Sequence, residues 1–135
     1  FPDCMRNLEE FGLIDAVLKS IASGKPFLGI CLGLQLLFTE SEEFAISMGL
    51  NVIKGKVVRF KGPEFQGLKI PHMGWNALSV KRRPPTLADV PDGSHVYFVH
   101  SFHVVPEDKG VIATTTNYGK DFVSSVWKDN IWTLE

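Results

Sequence analysis

The sequence predicts an α/β fold with a parallel core and an antiparallel extension, and three observations carry the prediction. An amphipathic helical stripe opens the chain. A short apolar run then turns at once into a second helical pattern. From about residue 52 onward nearly every segment reads as strand. A helix–strand–helix unit ahead of a series of strands is the layered arrangement in which a sheet buries one face against helices. With 135 residues, 44% of them hydrophobic, the chain is long enough for one domain with its own core.

Pro2 and Asp3 open the first helix, with Asp3 placed to cap the free amides of the first turn. Met5, Leu8, Phe11, Ile14, Val17 or Leu18, and Ile21 recur at helical spacing and predict one buried stripe. Gly24 ends that helix and Pro26 forbids its continuation. Phe27 to Ile30 reads as a strand without alternation, the pattern of a strand covered on both faces. Leu32 to about Phe38 reads as the helix that follows. "KVVRF" and "LKIPHMGWNALSV" are short strands around a Pro- and Gly-rich bend. "KRRPPTLADVPDGS" is a polar loop, and "HVYFVHSFHV" is strand-like throughout. "GVIATTTNYG" and "DFVSSVWKDNIWTL" add a strand, a turn, and two strands joined at Asp129-Asn130. There is no repeat and no low-complexity segment.

Acidic and basic side chains nearly cancel, 15 against 14, and the longest like-charge run is Lys81, Arg82 and Arg83. A broad basic face for nucleic acid is therefore not expected. The longest apolar stretches fall short of a membrane span, and no signal-peptide pattern is visible. Two cysteines, Cys4 and Cys31, are too few for a disulfide framework and point to a reducing, cytoplasmic setting. The chain starts at Phe1 and ends in the apolar run "NIWTLE", so it is read as a fragment or an edited chain.

The chemistry concentrates at Gly29-Ile30-Cys31-Leu32-Gly33, which has the G-x-S-x-G form with sulfur in place of oxygen. A strand precedes it and a helix follows, the context of a nucleophile elbow. The tight turn leaves no room for side chains two residues either way, which explains the glycines. At a helix N-terminus the Cys31 thiol faces free amides that favour thiolate. The Leu32 N–H is the first candidate donor to the oxyanion of a tetrahedral intermediate. Gln35, four residues on, shares the cysteine's helix face and can hydrogen-bond a substrate. The alternative is a small apolar cysteine in a Gly-containing turn, and that reading suits Cys4 better.

"GKPFLGICLGLQLLF" resembles the elbow of class I glutamine amidotransferases, whose domain is flavodoxin-like. "KIPHMGWN", "VYFVHSFHV", "GKVVRF", "NYG" and "FVSSVWKDNI" follow in order, and together they are similar to the glutaminase-subunit family of imidazole glycerol phosphate synthases, in histidine biosynthesis. The resemblance covers essentially the whole chain. It implies that Cys31 attacks the side-chain amide of glutamine, with Leu32 supplying an oxyanion amide. Gly33, Gln35 and the backbone at Ser101 and Phe102 would bind glutamine; the family usually has Tyr where Phe102 stands. Ammonia would pass to a cyclase subunit with a β/α barrel fold, docked on His72, Met73, Trp75, Asn76 and Tyr97. Trp75 is a natural anchor for such an interface, since a large ring buries much area at little entropy cost.

By the same resemblance residues 1–135 form a partial domain, truncated at both ends. The family's early strands precede Phe1, and its His-Pro-Glu segment would begin about two residues after Glu135. This chain alone is therefore expected to be inactive as a glutaminase, and its uncovered strands to drive oligomerisation or element swapping. Among the histidines present, His100 and His72 are the nominees for a base. His100 alternates with Val96, Phe98, Phe102 and Val104 on an apolar face, which favours a buried structural role. His95, His103 and Tyr97 share the opposite face, but no nearby Cys or carboxylate completes a ligand set, so neither a metal nor a cofactor is expected. Two other readings stay open: a catalytically silent partner-binding module, and a different cysteine-elbow α/β enzyme.

Overall fold

The computed structural model describes residues 1–135. Its first surprise is that the opening helical stripe is two helices, α1 (Pro2–Glu10) and α2 (Ile14–Ala22). Gly12 takes φ +63°, its N–H bonds to the Glu9 carbonyl, and the Leu13 N–H reaches back to Leu8 at 2.8 Å. That is a Schellman closure, which a left-handed glycine allows without steric cost. The break throws Phe11 out to solvent, while Met5, Leu8 and Ile21 pack against the core. Asp3 caps nothing; its carboxylate pairs with Arg6 one turn on, and Pro2 supplies the helix start instead.

β1 (Phe27–Ile30) leads into Cys31 and a single helical turn, α3 (Leu32–Gln35). The expected helix to Phe38 stops at Leu36, because Phe38 to Ser41 is strand β2, paired in parallel with β4 (Ile53–Arg59). Strand pairing outweighs helix propensity here, since Phe38 is completely buried between its neighbours. β3 (Ser47–Met48) folds back on β2. β5 (His72–Ala77) and β7 (His95–His100) form a separate antiparallel pair, with β6 (Ser79–Val80) between them in sequence. β8 (Phe102–Pro106), β9 (Ile112–Tyr118), β10 (Lys120–Lys128) and β11 (Ile131–Leu134) complete the chain.

The main sheet runs β1-β11-β10-β8-β4-β2-β3, with β9 also paired to β10 and β6 to β9. It is mixed: β1–β11 and β2–β4 are parallel and the other pairs antiparallel. Two clusters hold it. Leu34, Leu37, Phe38, Val57, Val104 and Val126 belong to the cluster under the helices, while Phe60, Phe65, Leu78, Phe98 and Phe122 fill the space under β5–β7. Phe122 and Val123 are adjacent and serve opposite clusters, as the strand's twofold period requires.

"HVYFVHSFHV", read as one strand, bends at Ser101 and changes sheets, β7 lying in the small pair and β8 in the large one. His95 and Tyr97 are exposed, as their shared face implied. His103 is not: past the bend it lies against the rings of Phe60 and Phe122, which bury it, while Val105 two residues on stays exposed. β1 departs the other way. Expected to be covered on both faces, it is an edge strand with Leu28 and Ile30 more than half exposed.

Candidate active site

The β1–β11 register aligns Ile30 with Leu134, so Cys31 and Glu135 emerge side by side at the carboxyl ends of two parallel strands. That edge is where α/β sheets bind ligands. Cys31 takes φ 49° and ψ −107°, a strained backbone for a residue with a side chain. Its N–H donates to the Leu134 carbonyl at 2.7 Å, and its carbonyl accepts from the amides of Leu34 and Gln35. These bonds hold the elbow. Gly29 is needed for it, since a Cβ there would lie 2.8 Å from the Gly33 carbonyl oxygen. Gly33 is not needed on the same ground: a Cβ there would meet nothing within 4 Å, so the steric argument holds for one glycine of the pair.

The Cys31 thiol does not behave as the helix-terminus argument predicts. Burial pushes its pKa up, the Glu135 carboxylate pushes it further, and only a hydrogen bond from the Leu32 N–H opposes them. α3 is one turn long and too short to offset burial. The Leu32 N–H nonetheless reaches the sulfur.

Glu135 is the residue that sequence reasoning missed. Its side chain is wholly buried, and burial raises its pKa to about 8, with a hydrogen bond from Gln35 acting the other way. Gln35 Nε2 lies 3.3 and 3.2 Å from the two carboxyl oxygens and 3.5 Å from the Phe102 carbonyl. His100 Nδ1 is 3.7 Å from Glu135 and donates to the same Phe102 carbonyl at 2.8 Å. The signal for Glu135 lay in pairing "FLGI" with "IWTL", since the residue after each strand then reaches the same edge.

The structure thus brings Cys31, Leu32, Gln35, Phe102, His100 and Glu135 into one neighbourhood. Ser101 sits at the bend, its carbonyl accepting from the Phe60 N–H. Ser101 and Phe102 also line a polar cavity of about 440 Å³ with Glu42, Glu43, Arg59 and Lys61. The Arg59 amide and the Lys61 ammonium hold the Glu42 carboxyl below its usual range. Met73, Trp75 and Tyr97 form an exposed apolar face on the β5–β7 pair, with Trp75 71% exposed and packed edge-on against Tyr97. His72, expected on that face, points inward instead, because alternation along β5 places it and Asn76 opposite Met73 and Trp75.

A family model for class-I glutamine amidotransferases matches residues 7–132. The chain belongs to the class-I glutamine amidotransferase family. A solved structure described as a glutamine amidotransferase superimposes with a TM-score of 0.65 at 19% identity, over 94% of this chain and 60% of that one, so the amidotransferase fold is shared. The subunit HisH of imidazole glycerol phosphate synthase from Geobacter metallireducens is 58% identical over 134 residues, 97% of this chain and 64% of the relative. HisH of Aquifex aeolicus is 50% identical over 97% of this chain and 61% of its own length. The chain therefore spans a little under two thirds of the length of these curated relatives.

Proposed function

We propose that this chain is the glutaminase part of an imidazole glycerol phosphate synthase, with Cys31 as its nucleophile. The observation that carries the reading is the strained Cys31 elbow, set at the carboxyl end of a parallel strand pair with the Leu32 amide on the sulfur. The Cys31 thiolate adds to the side-chain amide carbon of glutamine, and the Leu32 N–H receives the oxyanion. The C–N bond breaks, the nitrogen takes from solvent a proton equivalent to the one the thiol gave up and leaves as ammonia, and water hydrolyses the thioester to glutamate and free thiol. Gly33, Gln35 and the backbone at Ser101 and Phe102 line the glutamine side. Ammonia passes to a cyclase partner with a β/α barrel fold, docked on the face carrying Met73, Trp75 and Tyr97.

Burial and the Glu135 carboxylate both raise the pKa of the Cys31 thiol. Both lower the fraction of thiolate and so slow acylation. The 135-residue chain by itself is therefore expected to release little glutamate from glutamine. Those two features also favour the second reading, a silent partner-binding module.

A glutamine-mimicking chloroketone separates the two. Mass spectrometry of the treated chain should find the adduct on the Cys31 peptide, suppressed by excess glutamine and lost in Cys31→Ala. An unlabelled Cys31 in a chain that still binds the cyclase would establish the silent module. Trp75→Ala should weaken cyclase binding by about 2 kcal/mol or more if the exposed ring is a hot spot, as titration calorimetry would show.

A further inference from the structure

The elbow leaves one buried polar assembly unassigned: a line of side chains running inward from β5–β7. Asn76 Nδ2 lies 3.4 Å from His72 Nε2, His72 Nδ1 lies 3.0 Å from His100 Nε2, and His100 Nδ1 lies 2.8 Å from the Phe102 carbonyl oxygen. For two neutral rings these contacts admit one proton arrangement. A carbonyl oxygen only accepts, so His100 Nδ1 carries the hydrogen and its Nε2 is an acceptor. His72 must then donate from Nδ1, which leaves His72 Nε2 to accept from Asn76. The Asn76 amide is itself oriented, its nitrogen donating to the Asn117 carbonyl and its oxygen accepting from the Ala77 N–H, both at 2.8 Å. Every bond therefore points the same way, from the hairpin toward Phe102.

The rings have little freedom to break this order. His72 is stacked against Tyr118 and Phe98, with centroids 4.0 and 4.8 Å away, and His100 meets the edge of Phe60 at 5.0 Å. Burial lowers the pKa of both histidines, keeping them neutral at pH 7. The Phe102 carbonyl at the end of the line also accepts from Gln35, so the line terminates on two of the groups assigned to glutamine.

We propose that His72 and His100 are positioning residues for the glutamine end of the site: two neutral rings, both hydrogenated at Nδ1, that fix the direction of the Phe102 carbonyl and, with it, the Gln35 amide. The inference rests on the glutaminase reading of Cys31. Neither ring touches the reacting atoms, and the effect is on substrate binding.

The test compares His100→Phe, which keeps a ring and loses the donor, with His100→Asn, whose amide nitrogen replaces Nδ1. Inactivation of Cys31 by the chloroketone is resolved into an inhibition constant and a maximal rate, with iodoacetamide alkylation as a control that needs no glutamine site. His100→Phe should raise the inhibition constant about tenfold, the loss of one hydrogen bond, with the maximal rate held. His100→Asn should stay within about twofold of the unsubstituted chain, and iodoacetamide should react at similar rates in all three. Equal inhibition constants for the unsubstituted chain and His100→Phe overturn the proposal. So does a common acceleration by both reagents in both variants, the mark of loosened packing. ¹⁵N NMR of the imidazoles must show Nδ1–H in both rings; Nε2–H in either overturns the arrangement whatever the kinetics. Should the unsubstituted chain react with iodoacetamide yet never saturate with the chloroketone, the glutaminase reading fails instead, and the NMR result decides the hydrogen-bond order on its own.

Discussion

Gly29 and Gly33 flank the same cysteine, yet only one is sterically required. A Cβ at Gly29 would press on the Gly33 backbone at 2.8 Å and on Thr133 Cγ2 at 3.1 Å, neither of which can move without opening the elbow. Gly29→Ala should cost about 1–3 kcal/mol in urea denaturation, the usual range for overpacking. Gly33→Ala faces open space inside a helical turn and should be neutral or stabilising by up to about 1 kcal/mol. Equal costs at the two positions would refute this account of the turn. Cys31 was legible in sequence because a G-x-C-x-G between strand and helix is a local pattern. Glu135 was not, since nothing within a few residues of it signals a site; its role depends on a strand partner about a hundred positions away.

Elements were legible where local pattern and tertiary demand agreed. β4, β9, β10, β11 and the turn at Asp129-Asn130 follow the reading closely. The misses have named causes: a left-handed Gly12 splits one helix in two, and strand pairing takes Phe38 out of α3. At β1 a buried-looking apolar run forms an edge. A free edge with exposed Leu28 and Ile30 is a template for association. The chain should self-associate in sedimentation velocity at tens of micromolar, and Leu28→Lys with Ile30→Lys should shift it toward monomer. Unchanged sedimentation after the double substitution would place the contact elsewhere.

Across the whole molecule, three buried titratable groups oppose one another. Burial raises Glu135 from 4.5 to about 8, so its contribution to stability is full below pH 4.5 and is lost as pH rises through 8. Burial lowers His100 and His103 from 6.5 to about 4, so theirs is full above pH 6.5 and is lost as pH falls through 4. Stability should peak near pH 6.5 and decline toward pH 8 by about 1.4 kcal/mol per unit. Glu135→Gln should remove the decline above the peak and steepen the rise between pH 5 and 6.5 from about 1.4 to about 2.8 kcal/mol per unit, measured by urea unfolding from pH 5 to 8. A variant that keeps the alkaline slope would assign it to another group.

Composition, the elbow pattern and the apolar periods sufficed for the α/β class, the strand-to-helix elbow at Cys31 and most strands, because each of these is decided within a dozen residues by backbone geometry and side-chain alternation. Which strands became edges, which way His72 and His103 face, and how Glu135 comes to lie beside Cys31 were decided only by the packed sheet. Those outcomes depend on register and burial between segments far apart in the chain, and no local pattern encodes them.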